Sequence, residues 1–258
     1  MPVFHHPLNQ QEVAERQAFS ASMTRAGYER FVMEAQGAKF LVGETDLIDR
    51  SIAHFGMWEG SQLDALAEIC QQRPVDLFLD VGANSGFYTV MLVTKDLVKQ
   101  AIAFEPDPGN HAHLMANLFL NDLATRVAVH KVAVGDREGE VTLSEAGEHN
   151  RGESWVIHAD KPPEEAPTVA THAVRQIKFD DEFAIAGKTI VMKMDVEGSE
   201  FHALEGMRGL LQNNEVYAQV ELYSDRIDDL KSFFASCRYR YLRTDYIDHF
   251  FTNRADIG

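Results

Sequence analysis

Apolar positions along the chain change period several times, and the changes mark the elements. Residues 10–24 are mostly polar with a weak helical spacing. Between 28 and 42 the pattern alternates, with Phe31 and Met33 before Gly37 and Phe40 and Val42 after it, which predicts a β-hairpin turning at the glycine. Helices are expected from Asp46 to His54 and from Ser61 to Gln71, the second with Ser61 as N-cap. Short apolar runs of strand length then take over at 76–81, 100–105 and 127–132. Helical spacings at 86–95 and 108–120 fill the gaps between them. Further strands are expected at 189–195 and 216–222, a helix at 225–236, and two closing strands at 239–243 and 249–252. Strand alternating with helix is the pattern of a doubly wound parallel sheet in an α/β domain.

The alternation fails between about 137 and 180. Gly139, Val141 and Leu143 suggest a hairpin arm, 145–154 is polar, 161–167 is proline-rich, and 168–177 reads as a strand. An insertion of this length between two sheet strands is usually functional. The chain therefore divides into an N-terminal extension over 1–60, expected to act as a cap, and a main domain over 61–258 that carries the insertion.

Composition narrows the partners. The 258 residues include 45% hydrophobic and 25% charged side chains, ordinary values for a globular domain able to bury a core. The net charge of −16 argues against a nucleic-acid partner, because phosphate backbones select basic patches. Cys70 and Cys237 form no pair or metal-ligand spacing, which suits a reducing, cytoplasmic location. No apolar run approaches the roughly 18 residues of a membrane span. The N-terminus lacks the basic, apolar and small-residue order of a signal peptide, and His5-His6 reads as a loose terminus, not a metal pair.

Candidate chemistry begins at Asp76-Leu-Phe-Leu-Asp80-Val-Gly82-Ala83-Asn84-Ser-Gly86-Phe87. A buried strand ends beside Asp80, small residues follow, and a helix begins at the loop, which together make a nucleotide-binding corner. The second strand ends in Glu105-Pro106, about twenty residues on, where a carboxylate can accept the hydroxyls of a ribose. The loop is Gly82-x-Asn84-x-Gly86 with no G-K-[ST], which excludes a P-loop. A third segment, Lys193-Met-Asp195-Val-Glu197-Gly198-Ser-Glu200, closes a buried strand with an acid. In open parallel sheets, ligands sit beyond the carboxyl ends of strands where the strand order reverses.

The loop D-V-G-A-N-S-G-F-Y-T, the following A-F-E-P-D-P and the later K-M-D-V-E-G-S-E resemble the FkbM-type family of class I S-adenosylmethionine methyltransferases over about residues 45–253. The resemblance implies a Rossmann-like, seven-stranded, mostly parallel sheet with an antiparallel last strand. It implies S-adenosylmethionine as cofactor and S-adenosylhomocysteine as product. On this reading Asp80, Gly82, Ala83, Asn84, Gly86 and Phe87 surround the methionine moiety, Glu105 and Pro106 take the ribose side, and Asp195 falls beside the methyl group. Many relatives place an acid after the third strand to read adenine. Here that position is Lys131-Val-Ala133, so backbone contacts near Ala133 are expected instead.

The implied acceptor is a hydroxyl on a sugar or other small natural product. Trp58 and Glu59, in a G-x-W-E stretch like one in the family, are expected to wall its pocket, with Asn150 of the N-x-G-x-S turn and Glu221. Asp195, Glu197 and His149 are the candidates for the base that removes the hydroxyl proton. Asp195, Glu197 and Glu221 could also hold a divalent ion, but no ligand spacing supports a metal site. The rivals are an N- or carboxyl-methyltransferase, a binding module without catalysis, and a nicotinamide-dependent oxidoreductase. The extension could cover the pocket or form a homo-oligomer contact.

Overall fold

The computed structural model describes residues 3–4, 8–147, 149–158, 170–223 and 225–255. His5-His6 and the proline-rich 161–167 lie outside them. Helix α1 (Gln10–Arg25) starts in a capping box, in which the Asn9 side chain accepts from the Glu12 N–H and the Glu12 carboxylate accepts from the Asn9 N–H. Strands β1 (Arg30–Ala35) and β2 (Ala38–Gly43) pair antiparallel around the Gly37 turn, as the alternation predicts. Helix α2 (Leu47–Phe55) is capped by Asp46, and α3 (Gly60–Gln72) follows. Helix α3 begins one residue before the expected start. Glu59, not Ser61, takes the N-cap position, at φ +45°, and the Ser61 hydroxyl, already inside the first turn, bonds to Gln62.

The central unit runs β3 (Leu77–Val81), α4 (Phe87–Thr94), β4 (Ala101–Phe104), α5 (Pro108–Leu120) and β5 (Val127–His130). Every residue of β3 is buried, which is why it reads as an unbroken apolar run. The expected third strand stops at His130, two residues early, and the chain changes sheet. Strands β6 (Ala133–Gly135), β7 (Gly139–Ser144), β8 (Trp155–Ile157) and β9 (Thr171–Lys178) form a second sheet in the order β6-β9-β7-β8. Strands β7, β8 and β9 fall in the expected insertion, β6 precedes it, and a 3-10 turn at 151–153 lies between β7 and β8.

The chain returns through α6 (Phe179–Glu182), β10 (Thr189–Met194), α7 (Glu200–Gly206), α8 (Arg208–Asn213), β11 (Glu215–Glu221), α9 (Ile227–Ser236), β12 (Arg240–Asp245) and β13 (Asp248–Thr252). Between β10 and β11 the chain thus forms two helices, α7 and α8. The Asp180 carboxylate of α6 accepts from the N–H groups of Gly209 and Leu210 at 2.6 and 2.9 Å, giving α8 its own N-terminal partner.

The main sheet has seven strands in the order β12-β13-β11-β10-β3-β4-β5. Strands β5, β4, β3, β10 and β11 pair in parallel, while β13 is antiparallel to both neighbours. The order reverses between β3 and β10, and the expected fold class is present. One apolar core joins the extension to α4 and α5 through Phe31, Phe40, Ile52, Phe87 and Leu114. The other lies under α7, α8 and α9 and contains Leu204, Leu211, Leu230 and Phe234. These cores leave the strand ends at β3, β4 and β10 as the place where polar side chains gather.

Candidate active site

The Gly82–Gly86 turn is built by backbone bonds. The N–H groups of Gly82 and Ala83 both donate to the Phe104 carbonyl at 3.0 Å, which ties the turn to the end of β4. Gly82 has φ +84°, and a Cβ there would lie 1.7 Å from the Asp195 carbonyl oxygen. Only glycine fits between these two strand ends. Asn84 follows at φ +50°, and its N–H donates to Glu105 Oε2 at 2.7 Å. The Asp107 N–H donates to Glu105 Oε1 at 2.8 Å. The Glu105 carboxyl therefore spans from the turn to the start of α5, where Asp107 and Pro108 begin the helix. Burial pushes this carboxyl up to about 8. Asp80 is also buried, accepts from the Thr89 hydroxyl at 2.6 Å, and is pushed up to about 6 by burial.

Two cavities meet at this turn. The larger encloses about 560 Å³ including its open mouth. Its lining combines the polar Glu105, Asn84 and Asn110 with the apolar Pro106, Val132, Ala133, Leu143, Val156 and Val196. The smaller, about 330 Å³, is walled by Ile48, Trp58, Asp80, Phe87, Tyr88 and Lys193. Gly82, Asn84 and Asp195 line both. Asp195 thus stands at the junction.

Lys193 holds Asp195 there. Its Nζ lies 2.8 Å from Asp195 Oδ2 and 4.8 Å from the centre of the Tyr88 ring, and the Tyr88 hydroxyl donates to Glu59 at 2.7 Å. Register pairs Lys193 with Asp80 on one side and Gln219 on the other, so three adjacent strands point polar groups to one face. Burial alone would lower the Lys193 ammonium, but Asp195, Glu59 and Glu221 outweigh it and raise it well above the usual lysine value. The neighbouring acids feel their own burial first and then Asp195: Glu197 and Glu221 are each pushed up to about 8. Among the described residues, no three His, Cys, Asp or Glu side chains converge to hold a metal ion.

Most of the expected cofactor positions line the two cavities: Asp80, Gly82, Ala83, Asn84, Phe87, Glu105, Pro106, Ala133 and Asp195. Gly86 lies behind them at φ +79°, as N-cap of α4 and against Leu114. No acid of 131–136 lines the larger cavity, and Asp136 pairs with His202 instead. Trp58 and Glu197 line a cavity each, while Glu59 acts through Tyr88, and Glu221 is buried with β13 Asp248 as its register partner. His149 is exposed and its carbonyl accepts from Leu47, and Asn150 bonds to Glu153; neither lines a cavity. Their turn reaches the cleft through Gly152 and Ser154.

Arg151 fastens this turn. Its N–H donates to Asp46 at 3.0 Å, its guanidinium lies 3.3 Å from Asp49, and its carbonyl accepts from Asn110 Nδ2 at 2.9 Å. The N-terminal extension and the insertion therefore meet beside the Gly82–Gly86 turn, where a Cβ on Gly152 would lie 3.0 Å from Asn84 Nδ2. Sequence reasoning missed Lys193, Tyr88, Asn110 and Arg151. A lone lysine inside the apolar run of β10 was the available signal for the first; the others depend on contacts between distant segments.

The model of the methyltransferase FkbM domain matches residues 80–241. Among solved structures, a methyltransferase FkbM from Methylobacillus flagellatus KT is 21% identical, with a TM-score of 0.47 over 69% of this chain. This chain spans 43% of that protein's length. M. jannaschii TYW2 in complex with AdoMet is 12% identical with a TM-score of 0.43, covering 87% of this chain and 84% of that one. M. capricolum TrmK in complex with S-adenosyl-homocysteine is 11% identical with a TM-score of 0.40, covering 74% and 66%. Comparison with curated proteins gives no match.

Proposed function

Because the chain belongs to the FkbM methyltransferase domain family and its cofactor is S-adenosylmethionine, we infer that it methylates a hydroxyl on a sugar or other small natural product. The residues present fit the cofactor. A glycine turn that admits no Cβ, a carboxyl at the end of β4 and an apolar lining from Pro106 to Val156 suit a methionine moiety, a ribose and an adenine in that order. Bound there, the cofactor supplies an electrophilic methyl group on a sulfonium.

The observation that carries the acceptor reading is the Asp195 carboxylate at the junction of the two cavities, paired with buried Lys193. One oxygen is engaged by the ammonium, and the other is left to accept a proton from a hydroxyl held in the smaller cavity. A positioned base of this kind contributes roughly 10²–10⁴-fold. Trp58, Tyr88 and Ile48 offer that acceptor an apolar wall, while Glu197, pushed up to about 8 by burial, lines the larger cavity with its proton largely retained near neutral pH. The net charge of −16 supports a small molecule over a nucleic acid. The surplus of Glu59, Glu197, Glu221 and Asp248 around one lysine favours an amine acceptor as the second reading.

The test is calorimetric titration with S-adenosylhomocysteine, using NAD as control. Transfer of labelled methyl from S-adenosylmethionine into a small-molecule cell extract follows, with the product's methyl position read by NMR. An O-methyl product is expected. An N-methyl product would replace the hydroxyl reading with the amine one, and binding of NAD alone would sink both.

A further inference from the structure

Asn110 sits in the first turn of α5 and is almost wholly buried. Its backbone N–H donates to Asp107 Oδ1 at 2.9 Å. Its side-chain Nδ2 donates to the Arg151 carbonyl at 2.9 Å. A carbonyl can only be met by the amide nitrogen, so this bond sets which way round the amide lies. The other end, Oδ1, is buried and has no donor among the described residues. Asn110 lines the larger cavity together with Glu105, Asn84 and Gly152. A buried acceptor left without a donor costs free energy, and its presence beside a binding cleft points to a ligand group that donates.

The chemistry of that donor follows from the neighbours. Both Glu105 oxygens already accept backbone N–H groups, from Asn84 and Asp107. A ribose brings two vicinal hydroxyls, each needing an acceptor, and the Glu105 carboxyl alone would have to serve both. The adenine amine is the other donor on the cofactor, but the apolar residues assigned to the adenine, Val132, Ala133, Leu143 and Val156, come from the chain after β5, whereas Asn110 shares the β4–α5 segment with Glu105.

We propose that Asn110 is a cofactor-binding residue whose Oδ1 accepts one ribose hydroxyl while its Nδ2 ties the Arg151 turn to the same site. This rests on the cofactor assignment above. The amide is then the joint between the bound ribose and the turn over the cleft. Loss of the side chain weakens cofactor binding through one hydroxyl and not through the rest of the molecule.

The experiment measures Kd by calorimetry for S-adenosylhomocysteine and for its 2′-deoxyribose and 3′-deoxyribose analogues, on the unchanged protein, Asn110→Ala and Asn110→Asp. Thermal melts check that each variant folds. On the unchanged protein, one deoxy analogue is expected to bind about 10-fold more weakly than the parent, the usual worth of one buried hydrogen bond. Asn110→Ala is expected to lose a similar factor for the parent and nothing further for that analogue. Asn110→Asp keeps an oxygen at the same place and is expected to keep the discrimination; it carries the test if the alanine variant does not fold. An alanine variant that binds the parent as the unchanged protein does overturns the proposal. So does an equal loss for the parent and both analogues. Failure of the unchanged protein to bind S-adenosylhomocysteine would overturn the cofactor assignment, a different result from either of these.

Discussion

The ammonium of Lys193 lies between the carboxylate of Asp195 and the ring of Tyr88, with Nζ 2.8 Å from the first and 4.8 Å from the centre of the second. It is the cation around which Glu59, Asp195 and Glu221 are arranged, and almost none of it reaches solvent. Removing Lys193 leaves the Asp195 carboxylate, only a quarter exposed, uncompensated among other acids. Lys193→Met is therefore expected to destabilise the protein by about 3–5 kcal/mol in denaturant unfolding. A Lys193→Met/Asp195→Leu double variant should recover part of that loss. A single variant as stable as the parent would show that water reaches the cluster freely.

Stability should fall as pH rises from about 6.5 to 8. Burial pushes Glu105, Glu197 and Glu221 up to about 8, so the folded chain keeps protons on them that the unfolded chain releases near pH 4.5. Between those values the folded state binds more protons, and raising the pH favours unfolding. His113, pushed down to about 4 by burial, has the opposite effect, but only below its unfolded value of 6.5. Glu105 and Glu221 would each contribute up to about 2 kcal/mol across the upper window. Thermal melts of the cofactor-free protein across this range check the slope, and Glu221→Gln should flatten it. A melting temperature that rises from 6.5 to 8 would contradict the burial of these groups.

Gly82→Ala is expected to abolish cofactor binding and to cost at least about 3 kcal/mol, since the new Cβ needs both an uncommon φ and space taken by the Asp195 carbonyl. Calorimetry with S-adenosylhomocysteine and chemical unfolding read the two losses. Retention of tight binding would mean that the turn and the end of β10 can separate.

Arg151→Ala is expected to loosen the 149–154 turn. The side chain meets Asp49 and His113, and burial pushes Asp49 up to about 7 even with Arg151 opposing it. A loss of about 1–3 kcal/mol and faster amide exchange confined to this turn and the start of α2 are the expected results. Exchange unchanged there would show that Leu47 and Asn110 hold the turn without it.

What could be read in advance was what lies close together along the chain. Asp80 lies in a buried strand, and Gly82 to Gly86, Glu105 and Asp195 each follow one within a few residues, so an apolar run with glycines or an acid behind it is a local signal. The hairpin around Gly37 and the insertion were legible for the same reason. Lys193 and Tyr88 were not, because their meaning depends on their contacts with each other and with Glu59, which only folding brings together. Ser61 was misassigned because a serine ahead of a helical run is a good cap only if the helix starts after it, and Gly60 let it start earlier. The halt of β5 at His130 has no local mark: Val132 and Ala133 are as apolar as the strand, and the change of sheet is made by pairing with Gln176 of β9.

The contact between Gly82 and Asp195 has a mechanical consequence. The Asp195 N–H also donates to the Val81 carbonyl at 2.9 Å, so the start of the Gly82–Gly86 turn and the Asp195 backbone are bolted together at two successive residues. Neither can shift without carrying the other. Their relative placement is settled when the sheet forms, before any ligand arrives, and binding has no slack there to take up. The walls of the smaller cavity that come from other segments, Ile48 and Trp58, are not part of this joint, so their shape can differ without moving the Gly82 backbone against that of Asp195.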